Sequence, residues 1–262
     1  MRQQRGVWIL ATSLALLPVA RAAAQETPPP TAAPAEAAAE EPEKSWSVDA
    51  GFDWADIYLF RGVNLLGEDQ DVLVPHAAIT MGNWSVWTYA YSGHFDTDPG
   101  EERYGEVDFG ADYTWTIGSF SLTTGALTYQ YTGLVERDLG FADTEELYAV
   151  GSWDVLLAPT VSYYHDIDAV DGGYLQAGIS HSFAVGEKIS LDLSAAVGFD
   201  NKYNSDKSFQ LNDVLLGLNI PWQVTDSFSL HAQVQQSIAL DALDDIGQDD
   251  ETVFTIGAGL TF

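Results

Sequence analysis

Three patterns in the 262-residue sequence predict an all-β fold, a transmembrane antiparallel up-and-down β-barrel of twelve strands. Apolar and polar residues alternate with a period of two from Ser45 to the last residue, short and long connections alternate along the chain, and the chain begins with an export signal. Membrane barrels combine strands of about ten residues, one apolar face, short turns at one end and longer loops at the other.

The first 24 residues predict a secretory signal peptide. Arg2 and Arg5 precede the almost wholly apolar segment 6–20, and residues 22–24 are alanines, a pattern that signal peptidase cuts. About fifteen apolar residues are too few to cross a bilayer comfortably as a helix. Residues 25–44 are rich in Pro, Ala and Glu and hold no large apolar side chain, so they predict a disordered linker. Residues 45–262 then form the barrel.

Each predicted strand has one apolar face and one polar face. In the first strand Trp46, Val48 and Ala50 share a face, and helical spacing never replaces this alternation further along the chain. The predicted strands are 45–57, 71–80, 84–94, 104–116, 120–131, 145–155, 160–166, 173–183, 189–199, 209–220, 228–238 and 252–262.

The connections separate a membrane barrel from a soluble β-sandwich, which has no reason to place all its short turns at one end. The longer polar loops are predicted at 58–70, 95–103, 132–144, 166–172, 200–208 and 239–251, and the connections between them are short. Aromatic residues collect near both ends of the strands, which predicts two interfacial belts. The belt at the short turns holds Trp46, Trp84, Trp115, Trp153, Trp222, Phe120, Phe183, Phe228 and Phe262, and the belt at the loops holds Tyr58, Phe60, Phe95, Tyr104, Tyr131, Tyr163, Tyr174, Phe199 and Phe209.

Composition excludes several functions. The chain has 10 Lys and Arg against 39 Asp and Glu, a formal net charge of −29, so binding to nucleic acid or to an anionic membrane surface is not expected. It has no cysteine, which removes thiolate metal sites, disulfides and cysteine nucleophiles. No cofactor, metal site or catalytic residue is predicted.

The polar strand faces would line the barrel interior and carry many acids. By strand parity, nine carboxylates are predicted to line a pore: Asp49, Asp53, Glu106, Asp108, Asp112, Glu146, Asp154, Asp192 and Asp213. No predicted strand supplies an inward Lys or Arg, so the interior must be wet, hold cations or receive loop bases. Arg61, Arg103 and Arg137, one on each of the first three long loops, are the predicted pore-mouth residues.

This pattern predicts an outer-membrane channel for passive diffusion of small solutes, because rings of Asp and Glu favour cations or neutral solutes. The alternative is a non-conducting structural barrel, because a twelve-stranded barrel is narrow enough for side chains and inward-folded loops to close it. The expected surroundings are the lipids of a Gram-negative outer membrane.

The last strand alternates Phe254, Ile256, Ala258, Leu260 and the terminal Phe262 with small or polar residues. It resembles the carboxy-terminal segment that the barrel-assembly machinery recognises in outer-membrane proteins. Leu260 and Phe262 are therefore the predicted assembly signal, and that machinery is the predicted partner.

Residues 57–63 read Ile-Tyr-Leu-Phe-Arg-Gly-Val and follow the first strand directly. This segment resembles the Y-x-F-R-G-hydrophobic motif near the amino terminus of the TorF family of porins, and the resemblance extends over about residues 45–262. The approach to the motif, residues 53–56, differs from that family's usual Thr-Ser-Asp-Tyr. The resemblance implies an outer-membrane channel. For Arg61 two roles stay open: a charge at the pore mouth, or a loop salt bridge to Asp56 or Asp69.

A lipid-modifying enzyme is the second alternative, because some outer-membrane lipid hydrolases also use twelve strands and need a Ser/His pair near the outer rim. His94 with Ser92, and His165 with Ser162, are the nearest candidates at the loop ends of strands. Neither pair has the His-x-Ser arrangement of the outer-membrane phospholipase, so the sequence favours a protein that is not an enzyme.

Overall fold

The protein forms a closed antiparallel barrel of twelve strands, which confirms the predicted fold class. The computed structural model describes residues 46–67, 70–97, 100–132 and 142–262. The predicted signal peptide 1–24, the predicted linker 25–44 and Arg137 lie outside these residues.

Fourteen strands and one short helix make up the described chain, and two of the strands, β2 (Leu59–Phe60) and β3 (Val63–Asn64), form a separate hairpin. The barrel strands are β1 (Trp46–Ala55), β4 (Val72–Met81), β5 (Trp84–Thr97), β6 (Gly100–Ile117), β7 (Phe120–Tyr131), β8 (Thr144–Trp153), β9 (Thr160–Asp166), β10 (Gly173–Ala184), β11 (Ser190–Asn201), β12 (Gln210–Gln223), β13 (Phe228–Ala239) and β14 (Glu251–Thr261).

The first and last strands close the barrel. β1 pairs with β4 on one side and with β14 on the other, with Asp49 opposite Thr261. The terminal residue continues the ladder, since the Phe262 N–H donates to the Val48 carbonyl at 2.9 Å. Closure pairs both edges of the sheet and so removes the exposed strand edges that promote aggregation.

Alternation gives the barrel an apolar outer face. Large apolar side chains stay exposed on that face, including Phe52, Ile79, Trp115 and Ile256. Exposure of so many apolar groups in a full circle is the property of a surface that contacts lipid. Leu260 and Phe262 also lie exposed on this face, at the end of the barrel that carries the short turns.

We call that end the turn end, and the end that carries the long connections the loop end. Short connections 82–83, 118–119, 154–159, 185–189 and 224–227 lie at the turn end as predicted. The predicted long loop 95–103 is wrong, because β5 and β6 continue through it and stay paired as far as Thr97 and Gly100.

The loop between β13 and β14 carries the helix α1 (Asp241–Ile246). Ala242 and Leu243 are fully buried on it, and Gly247 ends it in the left-handed conformation with a φ of 79°. The helix packs on β12 and covers part of the loop end. Among the described residues, no helix has the length and apolar character needed to cross a membrane.

The predicted belts hold at the turn end only. Trp46, Trp84, Trp115, Trp153 and Trp222 are all exposed there. At the loop end, Tyr163 and Phe209 are exposed, whereas five predicted belt residues are buried inside the barrel: Tyr58, Phe60, Tyr104, Tyr131 and Tyr174. Strand parity could have corrected this prediction, because Tyr104 shares its face with Glu106 and not with the lipid-facing residues.

Candidate functional site

The candidate site is the barrel lumen, which is lined by the polar strand faces. Cross-strand partners in register share a face of a sheet. Leu127 lies opposite Glu146, and Gly110 lies opposite both Leu127 and Trp87, so all four belong to the inner face. Following the same register around the barrel places eight of the nine predicted carboxylates on strand positions of the inner face.

Asp154 is the exception. β8 ends at Trp153, and Asp154 lies exposed in the following turn, where its backbone N–H donates to the Ser119 carbonyl at 2.7 Å. The strand ends one residue before Asp154, although the predicted strand continued to residue 155. The predicted pore-lining position of Asp154 is therefore corrected to a position in the turn.

The first long connection folds into the lumen. Its residues 57–66, which we call the inner hairpin, contain β2 and β3 joined by a two-residue turn at Arg61 and Gly62. Both turn residues have positive φ, 44° and 83°, as a type I′ hairpin turn requires. Tyr58, Phe60 and Val63 of this hairpin are almost fully buried.

Arg61 at the tip of the inner hairpin pairs with Glu146 on β8. Its Nη1 and Nη2 donate to the two carboxylate oxygens at 3.0 and 2.8 Å. The Arg61 side chain is 5% exposed and that of Glu146 0%. Burial alone would lower the pKa of Arg61, but the Glu146 carboxylate raises it above its ordinary value, so the guanidinium stays charged. Of the two roles left open, the structure forms a salt bridge, with Glu146 as the partner and not Asp56. Asp69 lies outside the described residues.

A different part of the barrel wall holds the backbone of the same turn. The side-chain amide of Asn212 on β12 donates to the Arg61 carbonyl at 2.7 Å, and Asn204 donates to it at 3.3 Å. The register between β11 and β12 shifts between Val197 and Phe199, which marks a β-bulge. The extra residue allows Asn212 and its neighbour Asp213 both to be buried and hydrogen-bonded to each other.

These anchors show that the inner hairpin crosses the lumen. Its Tyr58 hydroxyl donates to Glu106 on β6 at 3.0 Å, while its Arg61 carbonyl accepts from Asn212 on β12. β6 and β12 are six positions apart around the twelve-stranded barrel and therefore form opposite walls. The inner hairpin and the buried aromatic side chains around it narrow the loop half of the lumen.

Most of the predicted carboxylates take hydrogen bonds from neutral groups. Tyr104 donates to Glu106, Trp87 Nε1 and the Tyr148 hydroxyl donate to Asp112 at 3.0 and 2.9 Å, and Tyr174 donates to Asp213 at 3.1 Å. Hydroxyls do the same near the turn end, where Ser182 and Ser190 donate to Asp192, and Thr261 donates to Asp49. Asp108 is buried on the same face of β6.

Two histidines that the sequence did not single out flank Asp53 beneath the inner hairpin. His76 Nδ1 on β4 lies 3.6 Å from one Asp53 oxygen, and His231 Nε2 on β13 lies 3.2 Å from the other. Cross-strand parity was the available signal, because His76 lies opposite Gly51 and His231 opposite Gly257 on the inner face. In the described part of the chain, no group of three or more His, Asp and Glu is arranged to hold a metal ion.

The other predicted pore-mouth residues do not join Arg61. Arg103 lies within β6, exposed and next to the inward Tyr104, so its side chain belongs to the outer face and the pore-mouth prediction for it is wrong. Arg137 is outside the described residues. The Ser/His candidates are not assembled either, since Ser162 pairs in register with the inward Val150 while His165 belongs to the opposite face of β9. Ser92 and His94 both lie exposed on the outer face of β5.

Solved outer-membrane channels share this architecture. The KdgM porin matches with a TM-score of 0.52 at 11% identity, over 82% of this chain and 99% of its own. The fold is that of the outer-membrane porins. The NanC porin matches with a TM-score of 0.52 at 12% identity, over 82% of this chain and 98% of its own. A COG4313 outer-membrane channel from Pseudomonas putida F1 gives 0.52 at 11%, over 85% and 99% of the two chains.

At identities this low, the matches show a shared fold and do not show a shared substrate or family. No family model matches the chain, and no curated protein matches it. The resemblance to the TorF family therefore stays a prediction.

Proposed function

We propose that this chain is an outer-membrane channel for small cations and neutral solutes, narrowed at its loop end by the inner hairpin. The observation that carries the proposal is the inner face itself, which presents eight of the predicted carboxylates, on five of the twelve barrel strands, and holds Arg61 already neutralised by Glu146. An excess of fixed negative charge in a narrow wet lumen concentrates cations and repels anions.

Two aromatic residues of the inner face, Trp87 and Tyr148, lie close to the barrel wall. A side chain added at Gly110 would meet the Trp87 ring at 2.1 Å, and one added at Gly125 would meet the Tyr148 ring at 2.5 Å. Each ring therefore covers a glycine of the neighbouring strand. Rings that lie close to the wall narrow the lumen less than rings that project into its centre.

The charge of the lumen also limits the solute class. The KdgM porin has been solved in complex with oligogalacturonate, whose uronate units carry carboxylates. The inner face of this barrel holds Asp49, Asp112 and Asp192 with hydroxyl and indole donors as partners, which leaves their negative charge in place. We therefore infer a solute class different from acidic saccharides.

Bilayer recording tests this proposal. The purified protein in a planar bilayer under a KCl gradient should give a reversal potential of the cation-selective sign. The variant Asp49→Asn with Asp192→Asn keeps oxygens that accept from Thr261 and Ser182, so it should reduce the cation preference without disturbing the wall. A reversal potential of the anion-selective sign would contradict the proposal.

The inner hairpin gives a specific reason to keep the structural barrel as the second candidate. It is anchored on opposite walls through Glu106 and Asn212 and buries its own apolar side chains. If the wild-type protein and a variant with a released hairpin both fail to conduct, the barrel is structural. If the released variant alone conducts, the hairpin is a gate within a channel.

A further inference from the structure

The guanidinium of Arg61 lies in a cage of aromatic rings. Its Cζ is 4.1 Å from the centre of the Tyr203 ring, 4.7 Å from Tyr164, 4.9 Å from Phe60 and 5.0 Å from Tyr174. Each distance is within the range at which a cation is attracted to the face of a ring. Together with the Glu146 carboxylate, the rings surround a single planar cation.

Most of this cage belongs to the barrel and not to the inner hairpin. Glu146 is on β8, Tyr164 on β9 and Tyr174 on β10, while Tyr203 belongs to the connection after β11. Phe60 alone comes from the hairpin itself. Arg61 and Phe60 therefore come from the inner hairpin, whereas the rest of the cage comes from distant parts of the chain.

The cage is held in place without Arg61. The Tyr129 and Tyr203 hydroxyls donate to Glu146 at 3.0 and 2.6 Å, which fixes the carboxylate between two phenols. The Tyr174 hydroxyl donates to Asp213 at 3.1 Å, which fixes that ring against the wall. A site whose groups are oriented by their own partners is organised in advance of its ligand.

We infer that the barrel wall carries a binding site for a guanidinium group and that Arg61 occupies it as a tethered internal ligand. The two parallel N–H bonds to Glu146 match the fork of a guanidinium, and the rings match its flat faces. The inference deepens the proposed function and rests on it, because it names solutes that carry a guanidinium group as the organic cations that compete with Arg61 in this channel.

The conformation of the tip carries an energetic cost. Arg61 has a φ of 44°, a left-handed conformation that costs an L-residue energy, and its contacts with the cage and with Asn212 offset that cost. A small solute that carries a guanidinium group can bind in the same cage without any backbone strain.

Calorimetry on the Arg61→Ala variant tests the site directly. The full-length variant, purified in detergent, is titrated with methylguanidinium chloride, and the matched probe is methylammonium chloride at the same ionic strength. We expect one saturable site, about tenfold tighter for methylguanidinium because one more charge-assisted hydrogen bond is made. The wild-type protein, with its cage filled, and Arg61→Ala with Glu146→Gln should show no saturable heat.

Two results would overturn the inference: no saturable binding by the folded Arg61→Ala variant, or equal binding by the variant that also lacks the Glu146 charge. If Arg61→Ala refolds poorly, its refolding yield becomes the measurement. A higher yield with methylguanidinium than with methylammonium supports the site, and equal yields overturn it.

These heats are measured without any ion flow, which separates the site from the proposed function. A chain that binds methylguanidinium but never conducts retains the site and loses the channel proposal. A chain that conducts cations but shows no binding retains the channel and loses the site.

Discussion

Removing the positive charge of Arg61 should release the inner hairpin from the lumen. Arg61→Met leaves the Glu146 carboxylate, 0% exposed, with only the phenol donors of Tyr129 and Tyr203. Breaking a buried ion pair by removing one partner costs about 3–5 kcal/mol. The two phenols that remain place the cost near the lower end of that range.

The barrel can avoid this cost without unfolding, because withdrawal of the inner hairpin lets water reach Glu146. A cost of about 3 kcal/mol then changes the ratio of docked to released hairpin by about a hundredfold. The readout uses the absence of cysteine from the chain. Val63→Cys places a single thiol on the inner hairpin at a position that is 2% exposed, and its maleimide labelling rate reports release.

We expect Arg61→Met to raise the labelling rate of Val63→Cys by about a hundredfold, in step with the released fraction. Phe209→Cys, at a position 73% exposed, should label at the same rate in both backgrounds. Adding Glu146→Met removes the stranded charge, so the rate should return most of the way to that of the wild type. An unchanged rate in Arg61→Met, or a double variant whose effects simply add, would refute the reasoning.

Three further changes test the surroundings of the same hairpin. Gly62→Ala should shift the equilibrium toward the released hairpin by about 1–3 kcal/mol, since the φ of Gly62 is positive and the new Cβ would lie 2.6 Å from a buried leucine. Gly67→Ala is equally left-handed but has nothing within 4 Å among the described residues, so it should cost only about 1 kcal/mol. The thiol labelling rate compares the two variants. Asn212→Leu removes the 2.7 Å hydrogen bond to the turn and should add about 1–2 kcal/mol of release in that assay, unless the bond is dispensable and the rate stays unchanged. The hydrogen bond from Lys207 holds the pKa of Asp245 below its ordinary 3.8. This exposed contact therefore persists at pH 3.8 and breaks as the pH falls through the lowered pKa. Carboxyl NMR titration should show the Asp245 pKa rising toward 3.8 in Lys207→Met, and an unchanged titration would contradict the contact.

The barrel was predictable because lipid imposes the alternation that the sequence displays. The same dependence explains the error at 95–103. There β5 and β6 stay paired over residues 95–97 and 100–103, and no apolar face repeats in that part of the sequence. Alternation therefore marks where a strand meets lipid, and it stops before the strand does.

The inward carboxylates were predictable by parity alone, since a strand on the wall of a barrel has only two faces. Their partners were not. Arg61 and Glu146 are 85 residues apart, and only the closed barrel together with the folded-in loop brings them into contact. The bulge that turns Asn212 toward the inner hairpin is not marked by any repeat in the sequence. Neither the bulge nor the crossing of the lumen could therefore be predicted from the apolar–polar alternation.

The choice of hydrogen-bond donors to the inward acids supports the cation preference that we propose. A Lys or Arg beside each carboxylate would satisfy its oxygens but cancel its charge. A phenol, hydroxyls and an indole donate to the oxygens of Asp112 and Asp192 without adding a positive charge. Within the described ranges one carboxylate pairs with an arginine, and that carboxylate, Glu146, lies where the inner hairpin is anchored. Neutral donors along the passage and a single cation at the constriction are the distribution that a cation-conducting lumen with a tethered hairpin requires.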